Sequence, residues 1–462
     1  MIPSTGKIDR LLVELRPRLQ CANFFISFPR KFADIESTTI ELATDRITIV
    51  MKGERERYEI RTGDYFQLHT QTLSSLVIKN RYICFRVNTN EAVFGSERLP
   101  SSGAGSDRNE CGLTAHRLTC SVVPCKRYRV LCSNCDGPLV QATDQPESEG
   151  IVFKRVLELP SEQLDTDDWF CHRHDHHGHG HGSGASEASR TSEQEDLTTK
   201  LEPQHGDLFY GTFYALLHRS VLQRVHIRHD RFVYCKRCLR YLGTTRKNRS
   251  SVKLWYENVR FLEEEKTIPV GLFPIDDSLE LFHQLVRKTV REFNFVTHLG
   301  LPPSIKLMFE LRRPGLQGDV FYLLMQIMDC QLSVFRANPK RSVSRSGSES
   351  CSDDVGESCV SSEQKTDPEA DDDDDDVFID SAYRKHTIRL ERHCAMKLMY
   401  RYEKYDEQPL FTFWREDSNV VNLELSEPMF SAAIRYLDAN SNYVPECYRV
   451  NLGFSMSYLD IS

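Results

Sequence analysis

Two Cys-x-x-Cys pairs constrain this chain more than any other feature. They read Leu131-Cys132-Ser133-Asn134-Cys135-Asp136-Gly137 and Tyr234-Cys235-Lys236-Arg237-Cys238-Leu239-Arg240-Tyr241-Leu242-Gly243. Two thiols at this spacing fit on one tight turn whose backbone N–H groups point at the sulfurs. Two such knuckles supply four thiolates, which close a tetrahedral zinc shell and leave no position for a substrate. If Cys132, Cys135, Cys235 and Cys238 share one ion, the long stretch between them must fold back on itself. The alternative is a set of unrelated buried thiols. A thioredoxin-like redox pair fits less well, because no βαβ pattern surrounds either motif.

The stretches around these motifs differ in character. Leu11–Leu15, Phe24–Phe28, Thr38–Leu42, Ile47–Met51, Tyr58–Ile60, Leu76–Ile78 and Tyr82–Val87 are short runs rich in β-branched and aromatic residues, punctuated by Gly53, Gly63 and Asn80. They predict a β-sandwich or barrel-like domain over 1–100. The Cys-rich, zinc-binding block runs from 117 to 244 and carries a His- and Gly-rich insert, 172–199, that cannot build a core. A C-terminal α+β block over 252–462 begins with a strand, Val252–Phe261. A helix capped by Asp276-Asp277-Ser278 and a hairpin of Ile305–Leu311 with Val320–Ile327 follow. A Ser-rich, then acidic insert (338–376) interrupts this block. Strand-like His386–Tyr400, a helix over Pro428–Asp438 and a last strand over Tyr448–Tyr458 complete it. The expected fold class is α+β and β-rich.

The formal net charge is -8, with six consecutive aspartates at Asp371–Asp376. An acidic balance argues against nucleic acid as a direct partner. Charges are scattered through Met1–Gln20, so no apolar signal core is present there. The greasiest run, Val320–Phe335, is interrupted by Gln326, Asp329 and Gln331 and is too short for a membrane span. The expectation is a cytoplasmic, or also nuclear, protein with no membrane partner. Fifteen cysteines in such a compartment are mostly small buried hydrophobes rather than disulfides.

No Walker loop, Gly-x-Ser-x-Gly, His-Glu-x-x-His or dinucleotide fingerprint is present. A catalytic cysteine needs access and activating neighbours. Cys330 and Cys394 sit in apolar or strand-like runs, whereas Cys447 follows a turn in Val444-Pro445-Glu446-Cys447-Tyr448 and is the candidate nucleophile. A buried thiol is the commoner explanation of each. Trp169-Phe170-Cys171-His172 places a large aromatic beside two soft metal ligands. They can join a zinc site of this chain, be offered to a partner's metal with Trp169 as anchor, or be an incidental Cys beside a buried Trp. His174, His176, His177, His179 and His181 will pick up metal, but their glycine spacing fixes no geometry.

In order, the chain presents a β-rich start, Cys132-x-x-Cys135, Leu159-Pro160-Ser161 leading to Trp169-x-Cys171-His172, and Gly206-Asp207 before Phe209–Arg219. Cys235-Lys236-Arg237-Cys238 with Leu242-Gly243, then Lys253-Leu254-Trp255-Tyr256, complete the series. That order resembles the HECT-like, ubiquitin-conjugating-enzyme-binding family of ubiquitin-protein ligases. The resemblance implies a HECT-like C-terminal block. It also implies acceptance of ubiquitin from a conjugating enzyme and its transfer to substrates, cyclins among them. HECT ligases carry their nucleophile in a Thr-Cys-Phe context, which Cys330, Cys394 and Cys447 all lack. The family is also linked to the metallo-β-lactamase-type, zinc-dependent endonuclease that cleaves pre-messenger RNA for polyadenylation. The Leu-Pro-Ser to Trp-x-Cys-His stretch looks like a segment that enters such an active site, which implies partner-binding roles for Trp169, Cys171 and His172.

Overall fold

The computed structural model describes residues 8–16, 19–32, 38–53, 55–90, 118–140, 150–162, 202–246, 250–296, 305–314, 319–337, 383–405, 409–417 and 419–461. Trp169, Cys171, His172 and the inserts 172–199 and 338–376 lie outside them.

The first seven strands are β1 (Arg10–Arg16), β2 (Cys21–Ser27), β3 (Thr38–Leu42), β4 (Arg46–Met51), β5 (Glu56–Arg61), β6 (Ser74–Lys79) and β7 (Tyr82–Asn88). Each coincides with one of the β-branched and aromatic runs of the sequence. The middle of the chain forms β8 (Arg127–Cys132), β9 (Ile151–Val152), β10 (Arg155–Glu158), β11 (Asp207–Tyr210), β12 (Tyr214–His218) and β13 (Val225–Arg228). It continues with β14 (Phe232–Cys235), β15 (Tyr241–Thr245), β16 (Ser251–Trp255) and β17 (Val259–Glu263). The rest comprises β18 (Ile305–Arg312), β19 (Val320–Ala337), β20 (Arg384–Lys404), β21 (Val420–Glu424), β22 (Val450–Asn451) and β23 (Phe454–Asp460). Helices cover Ser278–Val296, Pro409–Glu416, Glu427–Ser441 and Glu446–Arg449. None among the described residues is long and apolar enough to cross a membrane.

The molecule is β-rich, with a mixed sheet at its centre. The largest sheet runs β3-β4-β5-β20-β19-β1-β2-β7-β6, with β18, β21, β22 and β23 joined beside it. Its first and last thirds of sequence therefore share one hydrogen-bonded surface: β1 pairs antiparallel with β19, and β5 pairs parallel with β20. β19 and β20 pair with each other from Phe321↔Lys404 to Ala337↔Leu390. Their register shifts between Ile327 and Leu332. Such a bulge bends and twists a ladder. On one side of it Leu323, Met325 and Leu398 enter one core; beyond it Phe335, Ile388 and Leu390 enter a second with Phe24, Tyr58 and Phe85.

The helix Ser278–Val296 fills the first core with Leu281, Phe282, Leu285, Val286 and Val290. Asp277 starts it, its carboxylate accepting the Leu279 N–H at 2.9 Å. Two expected strands are broken. Val252–Phe261 divides into β16 and β17 around a 3-10 turn, Tyr256–Asn258. Tyr448–Tyr458 becomes a short helix and a hairpin that turns at Leu452 and Gly453, both at positive φ (50° and 80°). Leu410–Trp414, which reads as part of a run of strands, is helical.

A buried ionic knot sits where β1 crosses this sheet. Glu14, 1% exposed, accepts from Lys397 Nζ at 2.6 Å, from the Tyr458 hydroxyl and from Asn23 Nδ2 at 3.2 Å. Arg16 bonds both Glu14 and Asp329. Burial works against the Glu14 charge, but Lys397, Arg16 and Tyr458 outweigh it and hold the carboxyl at about 2. The folded value lies below the ordinary 4.5, so this stabilisation is complete above that pH and lost as pH falls toward 2. Glu14→Gln strands Lys397 and should cost on the order of 3 kcal/mol at neutral pH. In denaturant melts the gap from wild type should narrow between pH 4.5 and 2. A gap that does not change with pH would rule out the ionic role.

Candidate metal centre

Each Cys-x-x-Cys pair ends a strand. β8 leads into the first knuckle and pairs with β17 and β9 in a three-stranded sheet. β14 leads into the second, and β15 carries the chain away from it in a seven-stranded sheet ordered β10-β11-β12-β16-β15-β14-β13. The two turns repeat one design. Asp136 N–H donates to the Cys132 carbonyl at 2.9 Å, and Leu239 N–H to the Cys235 carbonyl at 3.0 Å. Cys132 N–H and Cys235 N–H donate to Gly137 and Arg240, both at 2.9 Å. The residue after each second cysteine is left-handed, Asp136 at φ 51° and Leu239 at φ 59°. At Gly243, a side chain would collide with the Lys253 carbonyl of β16, so only glycine lets the second sheet close here.

The four sulfurs lie within 4.8 Å of one another. Cys132 is 3.6 Å from Cys238 and Cys135 is 3.8 Å from Cys235. A tetrahedral zinc with Zn–S bonds of about 2.3 Å requires sulfur–sulfur edges of roughly 3.8 Å. The thiols therefore fit a four-coordinate metal ion and are compatible with zinc. Cys132 and Cys235 are buried, and Cys135 and Cys238 half-buried. Burial pushes the Cys132 thiol up to about 12 and raises that of Cys135. Cys238 goes the other way. Against the cost of desolvation, the Asn134 side chain, the Arg240 N–H and the neighbouring thiols bring it down to about 6. Four thiolates this close repel unless a cation sits among them, so metal binding and closure of the two knuckles are one event.

Residues outside the motifs hold the knuckles together. Asn258, 4% exposed in the turn between β16 and β17, accepts the Ser133 N–H at 3.0 Å through its carbonyl. Its side-chain oxygen accepts from Arg240 Nε at 3.3 Å. One residue therefore touches both knuckles. Arg237 of the second reaches the Cys135 carbonyl of the first at 3.3 Å. Nothing in the sequence singles out Asn258, which lies in what reads as an unbroken strand.

A second feature starts at Leu159. Its N–H donates to the Tyr210 carbonyl at 2.8 Å, and Ser161 Oγ donates to Glu292 at 3.2 Å. Glu162 accepts from Thr212 N–H at 2.7 Å, Thr212 Oγ1 at 2.6 Å and Lys288 Nζ at 3.2 Å. Gly211 is required beside it, because a Cβ there would strike Glu162 and the Tyr214 ring. The Leu-Pro-Ser-Glu segment is thus clamped between the β11–β12 turn and the Ser278–Val296 helix.

A profile of the HECT-like ubiquitin-conjugating-enzyme (E2)-binding family matches residues 14–456. The chain belongs to that family. No curated protein and no solved structure matches it significantly. Family membership gives the chain an E2-binding, ubiquitin-ligase-like role.

In that light the cysteines away from the metal centre matter. Cys394 is buried, and burial pushes the half-buried Cys330 thiol up to about 11. Cys447 is exposed on the helix Glu446–Arg449. The Tyr448 ring beside it meets Phe25 edge-on at 6.1 Å, and Phe25 faces Cys84 across the β2–β7 pair. No hydrogen bond or ion pair joins Cys447 to another group among the described residues.

The metal centre yields a direct test. Protein lacking 172–199 should bind one metal ion per chain by native mass spectrometry. Cys238→Ser should lose it and become protease-sensitive. Asn258→Ala keeps all four thiols and should lower metal affinity about 10–100-fold in a chelator titration. Metal-free wild-type protein as stable as the metal-loaded form would sink this assignment.

Proposed function

We propose that the chain is a ubiquitin-protein ligase that takes ubiquitin from a bound conjugating enzyme and passes it to substrates, cyclin-type proteins among them. The observation that carries this reading is the family match along nearly the whole chain. One structural zinc on Cys132, Cys135, Cys235 and Cys238 would tie together the two small sheets of the middle block. The free thiols among the described residues support a location in the cytoplasm, or also the nucleus.

Transfer can follow two routes. In the first, a Cys447 thiolate attacks the ubiquitin thioester carbonyl, the conjugating-enzyme thiolate leaves, and one thioester replaces another. In the second, the bound enzyme discharges directly to substrate. The site around Cys447 supports the second route, because among the described residues no imidazole or cation bonds the sulfur to generate a thiolate. Added chain should accelerate ubiquitin discharge from a charged conjugating enzyme to free lysine. A thiol-sensitive adduct on a non-reducing gel, lost in Cys447→Ser, would assign the first route. Acceleration without an adduct would assign the second. No acceleration across a panel of conjugating enzymes would defeat the ligase reading.

The clamp on Leu159–Glu162 supports a second activity. It gives Trp169, Cys171 and His172 a fixed point of departure seven residues upstream of Trp169. A segment anchored this way loses less entropy on entering a partner's cleft. We infer that it blocks or escorts the zinc-dependent pre-mRNA cleavage endonuclease, with Trp169 docking and Cys171 and His172 facing the metal. Trp169→Ala should weaken pull-down of that nuclease by about 2 kcal/mol, and Cys171→Ala should weaken it without loss of the chain's own metal. Wild-type binding by both variants would exclude this role.

A further inference from the structure

The net charge of -8 hides a strongly basic edge. Between Arg219 and Arg246 the chain carries eight Lys or Arg residues against one acid, Asp230. Arg231 and Arg246 are taken by Glu424 and Glu202. Arg219, Arg228, Lys236, Arg237 and Arg240 are exposed, and among the described residues the one carboxylate that feels their charge is half-buried Glu257, beside Arg240. Arg228, Lys236, Arg237 and Arg240 follow the β13–β14 hairpin, whose outer strand β13 ends the seven-stranded sheet, and continue onto the second knuckle; Arg219 stands apart, in the turn after β12.

These cations are held, not loose. Arg228 lies over the Tyr234 ring at 5.1 Å. Lys236 donates to the Gln223 carbonyl at 3.2 Å, and Arg237 and Arg240 are braced on Cys135 and Asn258 as described. Every one of those partners is neutral, so the contacts orient the charges without cancelling them. Exposed His226 stands two residues from Arg228 on β13, roughly 6.6 Å along the strand. Leu239, 57% exposed in its left-handed turn, adds an apolar face between Arg237 and Arg240.

We propose that this edge tracks the phosphate backbone of single-stranded nucleic acid. A line of arginines with an aromatic beneath and an apolar tip offers both elements such ligands use, charge for phosphate and flat surface for bases. An acidic protein surface is the competing partner. It would need matching carboxylates along the whole line, whereas a nucleic acid carries one charge per nucleotide by construction.

Fluorescence anisotropy of the full, metal-loaded chain with labelled oligouridylate and oligodeoxythymidylate tests this. Affinity should fall with salt at a log–log slope of about −0.7 per phosphate neutralised, close to −2.8 for four cations. The variant Arg228→Glu/Lys236→Glu/Arg237→Glu should lose at least about tenfold in affinity and flatten the slope by about 2. Should that variant lose its metal, Arg228→Gln, away from the thiolates, carries the same prediction with a flattening of about 0.7. A preference between the two oligonucleotides distinguishes RNA from DNA, and either supports the proposal. No binding at about 50 mM salt, or binding that both variants leave unchanged, overturns it. So does stronger binding of poly-glutamate of equal charge, which would assign the edge to an acidic protein.

Discussion

The antiparallel pairing of β19 with β20 is the contact on which the other sheets and cores hang. These two strands, 18 and 21 residues long, far exceed an ordinary strand. Such length is stable only if both faces are covered along its course. The bulge near Met328–Gln331 makes that feasible, since it turns the ladder so that its two halves face different cores. At one end β1 and β5 join, carrying the N-terminal strands; at the other β18, β21 and β23 join, carrying the helices. Glu14 ties the crossing point with four hydrogen bonds from four residues. Removing any one partner leaves a charge or hydroxyl buried in the middle of the sheet, which is why the knot resists piecemeal change.

The metal centre depends on this frame indirectly. Its knuckles belong to two different small sheets, which share one hydrophobic core and are joined as well through the Tyr256–Asn258 turn and the four thiols. Arg231 then links the second knuckle's hairpin to Glu424 of β21, part of the large sheet. The four cysteines thus add a local tie at one end of two packed sheets, and a closed four-sulfur shell suits that task because it contributes rigidity without an open coordination position.

Much of this was legible in the sequence. The seven N-terminal strands lie where β-branched and aromatic runs fall, and the four sulfurs assemble as their spacing demands, because both signals are local. Long-range pairing left no such mark. β1 pairs with a strand more than three hundred residues away, and nothing in Arg10–Arg16 specifies its partner. Where the reading failed, tertiary need overrode propensity. Val252–Phe261 has the composition of one strand, yet it breaks at Tyr256–Asn258 so that Asn258 can reach both knuckles. Tyr448–Tyr458 breaks at Leu452, a residue that resists positive φ, because Gly453 and the β22–β23 pairing impose a tight hairpin there. Leu410–Trp414 forms a helix because Phe411 and Trp414, three apart, pack against Tyr322 and Phe454.

Charge was the least faithful guide, and the reason is physical. Net charge governs long-range repulsion and solubility, but at physiological salt a charge is felt over only about 8 Å. A ligand meeting the β13–β14 edge therefore experiences the exposed arginines there and little of Asp371–Asp376 elsewhere in the chain. The same locality explains why those arginines persist unpaired on an acidic protein. Nearby carboxylates such as Glu424 and Glu202 are already engaged by Arg231 and Arg246. Fold and charge pattern are thus coupled through the second knuckle: the turn that aims Cys235 and Cys238 at the other two thiols also aims Lys236, Arg237 and Arg240 at solvent.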